Sequence, residues 1–159
     1  MAELTINEAS IQQYTNKVTY NHTDVTTANA NDAGTDTVTA TAVTFKIPVS
    51  AGEIIQDATV KIVTAFDGDA DVKVDVGHDN SSNIGSFIVS TSDNLGSAGY
   101  IRNTGAKLSI DESGSDTDAT IGHLYSADGH IFIRVTAGTA ISGITAGEFK
   151  LSYNKLDAN

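Results

Sequence analysis

Apolar and polar residues alternate with a period of two in one segment of this chain after another, and the clearest case lies between Glu53 and Gly77. Val60, Ile62, Thr64 and Phe66 alternate there with Thr59, Lys61, Val63 and Ala65. Asp67-Gly68-Asp69-Ala70 interrupts the pattern, and Val72, Val74 and Val76 then alternate with Asp71, Lys73 and Asp75. Every second side chain of an extended segment shares a face, so each run predicts a strand with one buried side. The Asp-Gly between the runs predicts an antiparallel hairpin. Val43, Phe45, Ile47 and Val49 alternate in the same way with Thr44, Lys46 and Pro48, and further strands are expected at 86–90, 106–110, 119–125, 131–135 and 148–153. Pro48 has no N–H to give to a ladder, which predicts that its end of the strand lies at a sheet edge. The apolar faces give an expected core of Phe45, Ile47, Val60, Ile62, Phe66, Val74, Ile133, Val135, Phe149 and Leu151.

About eight strands with hairpin-length connections, and no helix long enough to carry a parallel crossover, predict an all-β fold: an antiparallel, jelly-roll-like β-sandwich. Composition agrees. Ile and Val number 27 against 7 for Leu plus Met, and Thr adds 20; such β-branched side chains suit a pleated surface and disfavour helices. A chain of 159 residues can bury enough surface to fold without staples. The lack of an internal repeat argues against a propeller or solenoid.

Residues 1–36 read as an extended N-terminal arm and residues 37–159 as the sandwich body. The arm places few large apolar side chains (Leu4, Ile6, Ile11, Tyr14, Val18, Tyr20 and Val25) among many Thr, Asn and Ala and ends in the polar run 26–36. A segment so poor in apolar residues builds no core of its own. It either stays a flexible tail or becomes ordered by adding strands to its own body or to a neighbour. A short helical turn at 7–14, capped by Asn7, is also expected.

Charge narrows the partners. Twenty acidic and nine basic residues leave a net charge of −11, and Lys17, Lys46, Lys61, Lys73, Arg102, Lys107, Arg134, Lys150 and Lys155 are scattered singly. A phosphate backbone would be repelled, so no direct nucleic-acid partner is expected. The stretch from Met1 to Glu8 has neither the basic nor the apolar region of a secretory signal, and no run of about 18 apolar residues could span a membrane. A soluble protein assembled in a cytoplasm is expected. The absence of Cys removes disulfides and Cys-based zinc sites.

Candidate chemistry is sparse, and the chain is not expected to be an enzyme or to need a cofactor. Asp67, Asp69 and Asp71 resemble the start of a calcium loop, because hard cations need several carboxylates converging on one point. Val72 and His78, however, stand where such a loop requires Gly and Glu, so the segment reads as a solvated turn. Asp111, Glu112, Asp116 and Asp118 form a second acidic run with the same solubilising reading. His22, His78, His123 and His130 lack metal-ligand spacing, and Gly96-Ser97-Ala98-Gly99 is not a nucleophile elbow. Without Trp, a sugar-stacking platform would fall to Tyr100 or Tyr125.

The stretch Phe45-Lys-Ile-Pro-Val-Ser-Ala-Gly-Glu-Ile-Ile-Gln-Asp-Ala-Thr-Val-Lys-Ile-Val-Thr-Ala-Phe-Asp-Gly-Asp-Ala-Asp-Val-Lys-Val-Asp-Val-Gly77 resembles small β-sandwich virion proteins of tailed bacteriophages. They share a Pro-x-x-Ala-Gly turn leading into a strand that ends Thr-Ala-Phe-Asp-Gly. The resemblance implies a capsid decoration or cement protein that binds the outer surface of the major capsid protein lattice. A homo-oligomer is expected, a trimer before a dimer, docking through Leu4, Ile6, Ile11, Tyr14, Val18 and Tyr20 of the arm. The alternative is a receptor- or carbohydrate-binding module of a head or tail fibre.

Overall fold

A computed structural model describes residues 16–79, 84–88, 95–102, 107–111 and 120–157. The strands among them are β1 (Asn16–Asn21), β2 (Thr35–Val38), β3 (Ala42–Val49), β4 (Glu53–Asp67), β5 (Lys73–Gly77), β6 (Gly99–Arg102), β7 (Lys107–Asp111), β8 (Thr120–Leu124), β9 (Gly129–Thr136) and β10 (Ala146–Asp157). One short helix, α1 (His22–Thr27), follows β1, and a single 3-10 turn, Ile141–Gly143, precedes β10. The protein is an all-β sandwich. Its larger sheet has the order β1-β10-β4-β8-β7, with β6 also on β4, and its smaller sheet has the order β2-β3-β9-β5.

The pairing is nested along the chain. β1 lies beside β10, β3 beside β9, and β4 beside β8. Within β5, Val76 forms an antiparallel bridge with Ile88. The inward positions of the alternating runs meet between the sheets: Val60, Ile62, Phe149 and Leu151 from one side, Val43, Phe45, Val74, Ile133 and Val135 from the other, all buried. Nine of the ten expected core residues are buried, and Ile47 is partly buried against the same cluster.

Pro48 sits as its chemistry requires. Lys46 donates its N–H to the Gly34 carbonyl at 2.7 Å, and by the two-residue period the Pro48 nitrogen faces the same side, where β2 has ended.

Three expectations differ from the structure. β4 and β5 are not hairpin partners: β4 pairs with β10, β6 and β8, whereas β5 pairs with β9 in the opposite sheet. Alternation specifies a strand and its buried face but not its neighbour, and the turn at 67–72 is a corner between sheets. Gly68 (φ 93°) and Asp71 (φ 63°) adopt positive φ at separated positions, rather than at two adjacent residues as a two-residue type I′ hairpin turn demands. The β7–β8 pair is parallel, against the antiparallel pattern elsewhere.

The third difference concerns residues 16–36, which belong to the body rather than to an extended arm. β1 runs antiparallel to β10 along its whole length, and β2 pairs with β3. Asn21 caps α1: its side-chain Oδ1 accepts the Thr23 and Asp24 N–H groups at 2.8 and 3.1 Å, while the Asp24 carboxylate accepts the Asn21 N–H at 2.8 Å. This reciprocal box satisfies orphan donors of the first turn and aims Val25, 1% exposed, into the core. An edge strand and a one-turn helix need apolar residues on one face only, so their low apolar content is compatible with docking. The strand addition anticipated for this segment takes place on its own body. The helical turn expected at 7–14 lies outside the described residues.

Candidate functional site

The acidic turn is a structural clasp. The Asp69 carboxylate accepts the N–H groups of Thr139, at 3.1 and 3.2 Å, and of Ala140, at 3.0 Å. The Gly138 N–H donates to the Ala70 carbonyl at 3.0 Å, and the Thr145 N–H donates to the Asp67 carbonyl at 2.8 Å. The β4–β5 corner therefore grips the β9–β10 connection, the other crossing between sheets at this end. Backbone donors from Ala140, then Thr139 and Gly138, hold the Asp69 carboxyl below the usual aspartate range. Asp71 pairs instead with Lys73 at 2.9 Å, and the Asp67 Oδ1 accepts the Gly68 N–H. The three carboxylates face three different partners, and no group of three or more metal-ligating side chains occurs among the described residues.

Of the six expected arm residues, Leu4, Ile6, Ile11 and Tyr14 lie outside the described residues. Val18 is half-buried opposite Leu151. The Tyr20 ring stacks on Phe45, with centroids 4.5 Å apart, and packs against Phe149 at 5.3 Å; burial pushes its hydroxyl well above the usual tyrosine value. Tyr20 is thus spent on its own core rather than presented to a partner. Beside it a groove of about 340 Å³ runs between β1–α1 and β2–β3, with Thr19, Asp24, Asp32 and Lys46 among its lining.

Glu112, Asp116 and Asp118 lie outside the described residues. His78 and His123 come together, their rings parallel within 5° and 3.8 Å apart, with Tyr125 edge-on to His123 at 4.7 Å. They bridge the end of β5 and β8 between the two sheets, a meeting that sequence spacing did not reveal. His22 and His130 lie apart on α1 and β9. Tyr125 is no platform: it is buried over Gly129 and its hydroxyl donates to the His130 carbonyl at 2.8 Å.

Tyr100 is the exposed aromatic, at 61%, and its surroundings form the most distinctive surface of the molecule. The registers of β1, β10, β4 and β6 set Thr19, Lys150, Lys61 and Tyr100 in one row across the outward face of the larger sheet, with Lys17, Ser152 and Thr59, the last of them buried, in the next. The Lys61 Nζ lies 5.7 Å from the Tyr100 ring centroid, a cation–π contact. Val63, 41% exposed, lies two residues along β4. Lys150 pairs with Glu148 at 3.7 Å, but Lys17 and Lys61 have no carboxylate partner among the described residues. Elsewhere Lys46, Lys73 and Lys155 are each matched by an acid, Asp36, Asp71 and Glu53 respectively. In a chain of net charge −11, this face carries three lysines against one glutamate among the described side chains. The lysines stand far apart in sequence, so only the strand register could have disclosed the patch.

Comparison with known protein families, with curated proteins and with solved structures finds no match for this chain.

Proposed function

We propose that the protein is a structural component of a bacteriophage virion, a decoration or cement protein that binds the outer surface of the major capsid protein lattice and reinforces the head. The observation that carries this reading is the nested strand pairing, first with last and inward to β5 and Ile88. It supports a jelly roll, an architecture used by viral capsid and lectin domains. A fold alone does not assign a task, and the resemblance of Phe45–Gly77 to phage virion proteins selects between these uses. A decoration role asks for a rigid body and a surface that many symmetry-related copies can each use weakly. The clasped sheet corner and the outward face of the larger sheet suit both requirements. The reading includes self-association, with a trimer favoured, which analytical ultracentrifugation measures directly.

The competing reading, a receptor- or glycan-binding module, would use exposed Tyr100 as its stacking platform or the groove beside Tyr20. That groove offers hydroxyls and carboxylates, but the Tyr20 ring is already packed between Phe45 and Phe149. Co-sedimentation of the purified protein with phage heads lacking it tests the proposal: saturable binding in proportion to lattice sites is expected. Failure to sediment, together with binding on a glycan array, would replace it with the competing reading.

A further inference from the structure

We infer that the outward face of the larger sheet, centred on Lys17, Lys61 and Tyr100, is the docking surface, and that its occupant is a carboxylate-bearing protein surface of the capsid lattice. This rests on the decoration reading and adds to it the face, the partner chemistry and the orientation of the bound subunit.

Three observations converge on this face. The first is charge: Lys17 and Lys61 lack acidic partners among the described residues, whereas Lys46, Lys73 and Lys155 are each neutralised. Two cations without an acidic partner among the described residues, in a protein of net charge −11, are complementary to an acidic surface. The second is anchoring. Tyr100 combines large apolar area with a polar tip and few rotatable bonds, the properties that make tyrosine common at interface centres. Lys61 over its ring holds both side chains in place before binding, and exposed Val63 adds apolar area. The third is flatness. Thr19, Lys150, Lys61 and Tyr100 project from four neighbouring strands in register, so the contacts spread over the sheet.

The opposite outward face fits this partner less well. On the smaller sheet the Arg134 Nε lies 3.5 Å from the Thr44 Oγ1, and the neighbouring row carries Thr136 and Lys73, the latter bound to Asp71. Docking through the larger sheet leaves that face turned outward.

The test compares the wild type, K17E/K61E, Y100A and the control K73Q for binding to empty phage heads stripped of this protein, at low and raised ionic strength. Circular dichroism and melting temperature verify that each variant folds, as is expected for the exposed Lys17, Lys61 and Tyr100 and the half-buried Lys73. K17E/K61E should bind at least about tenfold more weakly at low salt, Y100A should weaken binding in a less salt-dependent way, and K73Q should bind like the wild type. Wild-type binding that K17E/K61E retains in full overturns the assignment of this face and leaves the decoration reading standing. A wild type that does not bind heads overturns the decoration reading and the inference with it.

Discussion

Replacing Val25 by Ala tests whether the segment before β2 is part of the folded body. Val25 sits on a one-turn helix in a polar stretch, yet it is 1% exposed and belongs to the central cluster. Removing its two γ-methyl groups forfeits about 1.6 kcal/mol of transfer free energy at about 0.8 kcal/mol per carbon. Incomplete collapse around the site adds a cavity cost, bringing the loss to about 2–3 kcal/mol. Alanine is the better helix former by about half a kcal/mol, so the net destabilisation expected is about 2 kcal/mol. For a chain of this length that corresponds to a fall in Tm of about 4–8 °C, readable by thermal circular dichroism and by equilibrium denaturation in urea. Val38→Ala removes the same atoms from an exposed position and should cost less than about 0.5 kcal/mol. A Val25→Ala loss as small as that of the control would show that α1 does not dock, and residues 16–27 would then revert to a detachable arm.

Further outcomes follow from the core and the corner. Ile133→Ala, at a position with no exposure on the central strand β9, should cost about 2–5 kcal/mol; a loss below half a kcal/mol in urea denaturation would mean the strand faces are misassigned. Gly68→Ala places a methyl group at positive φ, against the Gly143 carbonyl and within 2.7 and 2.8 Å of the Thr145 Oγ1 and N. Strain and overlap together predict a loss of about 2–4 kcal/mol, whereas a turn packed on nothing would show only the strain, about 1–2 kcal/mol. Asp69 titrates below an unfolded aspartate because backbone donors favour its charged form, so its contribution is present above about pH 4 and disappears as pH falls through its lower folded value. The stability gap between wild type and Asp69→Ala should accordingly be constant near neutrality and shrink in acid; a gap that widened on acidification would contradict the clasp.

Much of the fold was legible in the chain because alternation is a local property. The runs at Val60–Phe66, Ile131–Val135 and Phe149–Tyr153 state their own buried faces, and the strands follow. What alternation does not state is the neighbour. The Asp-Gly signal at 67–68 suggested β5 as the partner of β4, but the corner is held by residues about 70 positions away, Thr139 and Ala140 on Asp69. Composition hid the role of 16–36 for a related reason: one apolar residue per helical turn suffices when the rest of the turn faces solvent. The Asn21-x-x-Asp24 spacing, a capping box in different residue types, was the available signal for α1. The candidate site was the least legible part. Lys17, Lys61, Lys150 and Tyr100 look scattered until the registers of β1, β10, β4 and β6 align them.

The account is tested most directly by a cryo-electron microscopy map of phage heads incubated with the purified protein. It predicts two-layered β density on the outer surface, repeated with the lattice, with the larger sheet and its Lys17, Lys61 and Tyr100 toward the major capsid protein and the smaller sheet outward. Heads without added density would contradict the decoration reading. Density that meets the lattice through the smaller sheet would contradict the assigned face.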